Sequence, residues 1–166
     1  MSSEQSEAKR AGSPDFRDLL RAFAESGVRY LIVGAYAVTY YTEPRFTKDL
    51  DVWVDPTPEN AKRVWKALAA FGAPMENLAI TDICNPDLVF QVGVAPNRID
   101  VMMGMEGLTF AAAWRRRKRS TYLDVPAYYI GLDDLIRVKR AAGRPQDRLD
   151  VRRLVESRRM QTKRLR

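Results

Sequence analysis

The chain of 166 residues contains no histidine and a single cysteine, Cys84. Without an imidazole there is no Ser-His-Asp triad, no Cys-His nucleophile pair and no histidine-ligated zinc. One cysteine gives neither an internal disulfide nor a cysteine-cluster metal site. No run approaches the ~18–20 apolar residues of a membrane-spanning helix. Residues 1–14 lack the apolar segment of a signal peptide. These absences point to the cytoplasm and exclude a membrane partner. Acid–base or metal chemistry in this chain rests on carboxylates, lysine, tyrosine or hydroxyls.

What is present is charge, unevenly placed. The net charge is +7. Residues 1–111 hold 11 basic and 15 acidic side chains, a balance of −4, and residues 112–166 hold 17 and 6, a balance of +11. A basic half makes an anionic partner worth considering, either a nucleic acid or a nucleotide's phosphates. The plain alternative is a solvated helix face. A hydrophobic fraction of 46% and a mean hydropathy of −0.36 describe a globular chain able to bury a core.

Residues 1–13 are small and polar and read as disordered. Ser13-Pro14-Asp15 opens a helix that carries Phe16, Leu19, Leu20 and Phe23 and ends at Gly27. Tyr30-Leu31-Ile32-Val33 reads as a buried strand and residues 35–41 as a short helix packed onto it. A second strand alternates Leu50, Val52 and Val54 with Asp49, Asp51 and Asp55. Pro56-Thr57-Pro58 starts a helix with Ala61, Val64, Leu68 and Phe71 on one side. Residues 88–94 and 98–103 form a hairpin about Pro96-Asn97, 108–114 a short helix and 121–125 a short strand. Two helices close the chain, 132–142 and 145–159, with Gly143 between them. The expected class is therefore α+β (α/β): a mixed sheet of about 4–5 strands flanked by helices, with a C-terminal helical pair. The expected organisation is one domain over 14–160, its C-terminal helices beginning near 131, and a frayed basic tail over 161–166.

Two aspartates at i and i+2 on a strand, Asp49 and Asp51, point to one face roughly 6–7 Å apart. Like charges so placed repel unless something cationic lies between them. Oxygen-only ligands suit a hard divalent cation such as Mg²⁺ (or Mn²⁺). Gly34, at a strand end leading into a helix, lets the backbone approach an anion at the helix N-terminus. An anion cradle beside a metal-binding acid pair suggests phosphoryl-group chemistry.

The run Leu31-Ile32-Val33-Gly34-Ala35 through Arg45-Phe46-Thr47-Lys48-Asp49-Leu50-Asp51 resembles the signature of the nucleotidyltransferase superfamily, whose fold is that of DNA polymerase beta's catalytic core. That resemblance implies a third carboxylate on a later strand, matched by Asp100 in Arg98-Ile99-Asp100-Val101. The stretch Leu135-Ile136 … Lys139 … Gly143-Arg144 … Asp147 … Asp150 … Leu154 is similar to the ending of the AbiEii-like, toxin-type nucleotidyltransferases. The resemblance implies that Asp49, Asp51 and Asp100 hold Mg²⁺, and that the three carboxylates converge within about 5 Å to share it. It implies that Gly34, Ala35, Arg45, Thr47, Lys139 and Asp147 bind an NTP such as ATP, and that Lys139 neutralises the leaving pyrophosphate. Ala35 departs from the pattern: Gly or Ser is usual there, and alanine offers no hydroxyl to a phosphate.

Each residue also has a plainer role. Gly34 makes a tight turn, Arg45 and Thr47 tie down a loop, and Lys139 is a surface lysine. Asp147 and Asp150 lie near a helix start, where acids are favoured anyway. The run Arg115-Arg116-Arg117-Lys118-Arg119 either grips a tRNA or other RNA backbone or is a solvated loop, with Trp114 and Tyr122 stacking bases or packing in the core. The resulting expectation is transfer of a nucleoside monophosphate to a hydroxyl on RNA, protein or a small molecule. The chain would be the toxin of a toxin–antitoxin pair, with a cognate antitoxin as partner. The alternatives are a degenerate nucleotide- or partner-binding module of the same fold, and a helix-turn-helix over 133–154, which leaves the three aspartates unexplained.

Overall fold

Four consecutive apolar residues need a strand with no polar face, and the computed structural model supplies one. Strand β1 (Tyr30–Val33) is buried at every position, as expected where layers cover both sides of a sheet. The structure describes residues 14–44, 47–94 and 96–165. The expected disorder of residues 1–13 and the role of Arg45 lie outside them.

The other elements are α1 (Pro14–Glu25), α2 (Gly34–Tyr41), β2 (Leu50–Val54), α3 (Pro58–Phe71), a single-turn α4 (Ile80–Ile83), β3 (Val89–Val92), β4 (Ile99–Met102), α5 (Phe110–Arg115), β5 (Lys118–Tyr122), β6 (Val125–Tyr129), α6 (Leu132–Ala142) and α7 (Pro145–Arg164). The described strands form one sheet in the order β3-β4-β2-β1-β6-β5. Strand β2 runs antiparallel to β1 and parallel to β4, β6 is parallel to β1, and the outer pairs β3/β4 and β5/β6 are antiparallel. The sheet is mixed, as expected.

Two apolar clusters fill its faces. On one side Leu50, Val52 and Val54 pack with Phe16, Leu19, Leu20 and Phe23 of α1 and Ala61, Val64 and Leu68 of α3. The spacing of the four α1 residues makes one helical stripe, and each contributes about 1.5–3 kcal/mol on burial. On the other side Leu31, Val33 and Trp53 pack with Phe110, Leu135, Ile136 and Leu154. Helix α3 is capped by Thr57, whose side chain accepts from the Asn60 amide at 3.4 Å, and by Gly72 in the left-handed region.

The expected elements differ in three places. Among the described residues the sheet has six strands rather than four or five. The segment 121–125, read as a strand, is the turn of the β5/β6 hairpin: Leu123, at φ 53, turns the chain between two five-residue strands. The charged residues Lys118 and Arg119 mask β5 in the sequence because they sit on an edge strand, where charge is tolerated. Helix α7 continues to Arg164, so 161–164 is helical rather than frayed. Among the described residues no helix is long and apolar enough to cross a membrane.

Candidate active site

Strand β1 passes into α2 without a loop, and this junction fixes the site. Gly34 has φ 66, and a Cβ built there would overlap the Asp51 carboxylate at Oδ2. Only glycine combines the left-handed backbone with the missing side chain. The start of α2 and the Asp51 carboxylate therefore occupy the same corner.

Asp51 stands opposite Val33 on one side and Asp100 on the other, in parallel register. Neighbouring strands lie about 4.8 Å apart, and residues in register share a face, so Asp51 and Asp100 are side by side. That face also carries Trp53, so the alternation in β2 separates two buried faces rather than a wet one from a dry one. The Asp51 carboxyl is pushed up to about 6, first by burial, then by the charges of Asp100 and Asp49, with Lys139 and Arg98 opposing.

Arg98 relieves part of this repulsion. Its Nη2 is 3.2 Å from Asp49 Oδ2, and its Nε is 3.3 Å from Asp100 Oδ1. The second contact lacks hydrogen-bond geometry: Asp100 Oδ1 is buried and accepts no hydrogen bond. A buried, unsatisfied carboxylate oxygen beside a raised Asp51 is the chemistry that a hard cation would complete. The trio is nevertheless not drawn together, for among the described residues no three acidic or cysteine side chains are gathered closely enough to hold a metal ion. The Arg98 guanidinium instead bridges Asp49 and Asp100.

Across a cavity of about 370 Å³ from Asp51 lies a second charged cluster, on α6 and α7. Lys139 Nζ sits 3.2 Å from both Asp147 Oδ1 and Asp150 Oδ2, and both aspartates are 1% exposed. Arg144 Nε donates to Asp147 Oδ2 at 2.7 Å, the Arg144 amide donates to the same oxygen at 3.2 Å, and Gln146 donates to Asp150. Burial pushes the Asp147 carboxyl up, but the bonds from Arg144 and Lys139 outweigh it and hold it below the ordinary carboxylate value.

The structure thus brings Gly34, Ala35, Asp51, Lys139 and Asp147 to one cavity. Asp49 and Asp100 do not line that cavity and are joined to each other through Arg98. Thr47 is not brought in. Its carbonyl accepts from the Tyr36 hydroxyl at 3.4 Å, and the residue does not line the cavity. Lys139 is not a free surface lysine but is 12% exposed and held by two acids. Arg144, at 74% exposed, is the cation with room to meet a ligand. Sequence reasoning assigned no role to Arg98, although its i, i+2 spacing to Asp100 signals a shared face. It also missed Met102 and Met105, which supply an apolar wall and carry no signal outside the fold.

The 115–119 run is partly committed to structure. Arg116 makes two 2.9 Å bonds to buried Asp134. The Arg117 guanidinium lies 3.9 Å from the centre of the Trp114 ring, which stacks in turn on Phe110. Tyr122 is buried against Tyr36. Neither aromatic is free to stack on a base.

No family model matches the chain, and no curated protein sequence matches it. Among solved structures, the lincomycin-bound lincosamide antibiotic adenylyltransferase LnuA matches with a TM-score of 0.57 and 13% identity, over 86% of this chain and 96% of that one. At that identity the likeness is one of fold, and the fold is nucleotidyltransferase-like.

Proposed function

We propose that the chain is a nucleotidyltransferase that moves a nucleoside monophosphate from an NTP to a hydroxyl acceptor. The observation that carries this reading is Asp51 in register with Asp100, at the Gly34 helix start, facing Lys139 and Arg144 across one cavity. Asp51 and Asp100, in register, would hold Mg²⁺ or Mn²⁺, with Asp49 joining them once released from Arg98; the ion would supply charge for the triphosphate and acidity for the attacking hydroxyl.

In the reaction, the acceptor oxygen attacks the α-phosphorus. The bond from that phosphorus to the β-phosphate oxygen breaks, and pyrophosphate leaves with the electron pair. Asp100, whose Oδ1 accepts no hydrogen bond although Arg98 lies beside it, takes the hydroxyl proton. Gly34 admits the phosphates to the backbone. Asp147 and Asp150 position Lys139, and Arg144 meets the leaving pyrophosphate. The cavity's ionic groups sum to a negative charge when Asp51 is ionised, because the two cations are matched by two aspartates. An NTP therefore enters with its cation rather than bare.

The acceptor class ranges over RNA, protein and small molecules; the lincosamide enzyme supports the last as far as fold likeness goes. The toxin role, with its antitoxin partner, rests on the motif from Leu135 to Leu154. A second reading, a nucleotide-binding module without turnover, is favoured by Ala35 and by Arg98 bridging the acids.

The test is incubation with each labelled NTP, Mg²⁺ or Mn²⁺, and total tRNA, a protein mixture or hydroxylated small molecules. Expected are label transfer and pyrophosphate release, both lowered more than about a thousandfold in Asp51→Asn. Metal-dependent NTP binding without transfer selects the module, and absence of both overturns the nucleotide reading.

A further inference from the structure

The densest run of positive charge in the sequence is not the freest in the structure. Arg116 is bound to Asp134 and Arg117 to an aromatic stack, whereas the basic residues of α7 are largely uncommitted. Arg148, Arg152, Arg159 and Lys163 are all exposed. At 100° per residue they fall within an arc of about 60° along a helix about 30 Å long. Among the described residues only Arg159 of these four makes an ion pair, a 3.7 Å contact with exposed Glu156. The other acids of α7, Asp147 and Asp150, are turned inward to Lys139. The helix is thus negative toward the cavity and positive toward solvent.

Helix-dipole compensation does not account for the stripe. It favours cations in the last turn, and so covers Lys163, but it disfavours Arg148 and is indifferent to Arg152. Alongside the stripe runs a groove of about 800 Å³ between α7 and Tyr41–Pro44, lined by Arg152, Arg153 and Arg164 against two acids, Glu43 and Glu156. The stripe begins one turn beyond Arg144, at the mouth of the candidate active site. A chain of phosphates lying on it would deliver its end to Asp51.

We propose that the outer face of α7, with its groove, binds a polynucleotide backbone, and that the acceptor of the transfer is an RNA terminus. The word acceptor rests on the transferase reading above, but the binding surface does not. No aromatic side chain lies on the stripe, and the groove's Tyr41 is held by Tyr40 and by its hydroxyl bond to the Ile130 carbonyl, so recognition is of phosphates rather than bases. Affinity therefore falls steeply with salt and depends little on sequence.

The test is anisotropy of labelled tRNA and of a labelled 20-nucleotide single strand with the full chain over a range of KCl. Three variants are compared: Arg148→Gln/Arg152→Gln/Arg159→Gln/Lys163→Gln, Arg115→Gln/Lys118→Gln/Arg119→Gln, and Asp51→Asn. All changes in the first two are on exposed side chains, and circular dichroism checks the helices. The stripe variant is expected to lose more than about tenfold in affinity and to flatten the slope of log K against log salt by about 3. The 115–119 variant should change less than about threefold. Asp51→Asn should bind RNA like the parent.

A stripe variant that binds RNA as the parent does overturns the proposal, as does a parent with no RNA affinity. Competition by polyglutamate equal to that by RNA also overturns it and assigns the face to an acidic protein. RNA binding without transfer to any acceptor defeats the transferase reading alone. Transfer to a small molecule with no RNA affinity defeats the surface alone.

Discussion

Asp51 and Asp147 face each other across one cavity, both are carboxylates drawn out of water, and their proton affinities move in opposite directions. Asp51 rises to about 6 because burial and two neighbouring carboxylates act on it together. Asp147 is pushed up by burial too, yet ends below its ordinary value because Arg144 and Lys139 both bond to it. The difference lies in what each element offers. Strands β2 and β4 set Asp51 beside Asp100, and Arg98 is paired with Asp49 and Asp100 but not with Asp51. The α6–α7 hairpin supplies a lysine, an arginine and a backbone amide to two acids. The first cluster is left short of positive charge, as suits a group waiting for a cationic ligand. In the second the two acids are matched by Lys139 and Arg144.

Three substitutions bear on that contrast, from the largest effect to the smallest. Lys139→Met leaves two 1% exposed aspartates without their shared cation, and breaking such a pair costs about 3–5 kcal/mol. Chemical denaturation at pH 7 should show this loss. Full stability in Lys139→Met would mean that Arg144 and Gln146 suffice. The contribution of Asp147 is present above its unfolded value of 3.8 and is lost as pH falls through its lower folded value.

Asp51→Asn should act in the opposite sense. A folded pKa raised from 3.8 to about 6 means that the native state binds the proton more tightly. Stability therefore falls as pH climbs from about 4 to 6, then levels. Asn removes that penalty, so the variant should be more stable than the parent by about 1–3 kcal/mol at pH 7–8, with the gain vanishing near pH 4. Thermal melts across this range check it, and parallel curves for the two proteins would contradict the assignment.

The smallest effect belongs to Arg98→Gln. Its ion pairs are partly exposed, so their loss should cost about 0.2–1 kcal/mol at pH 8. The loss should shrink at pH 5, where Asp51 is largely protonated, and Mn²⁺ should restore part of it. A melting temperature that does not move with Arg98→Gln, or that Mn²⁺ leaves alone, would show that the guanidinium does not take the place of a cation.

Much of this was legible before the fold. The four-residue apolar run, the i, i+2 acids and the helix boundaries at Leu132, Ala142 and Pro145 follow from local rules of period, proline and glycine. Gly34 was legible as a turn, but not as the residue whose missing Cβ makes room for Asp51. That requirement comes from a contact between β2 and the β1–α2 junction, and no local pattern encodes it. The β5/β6 hairpin was hidden because an edge strand tolerates Lys and Arg, which removes the alternation by which strands are read.

By itself, the sequence determined the kind of chemistry available: no imidazole, one thiol, and carboxylates at strand spacing with a basic C-terminal half. Only the tertiary structure decided which charges are spent and which are free. It committed Arg116 and Arg117 to Asp134 and Trp114, turned Asp147 and Asp150 inward onto Lys139, and left the outer face of α7 open. The reason is that a side chain's charge is encoded locally, whereas its partner is found across the fold. Whether a charge is neutralised depends on distances that only packing sets.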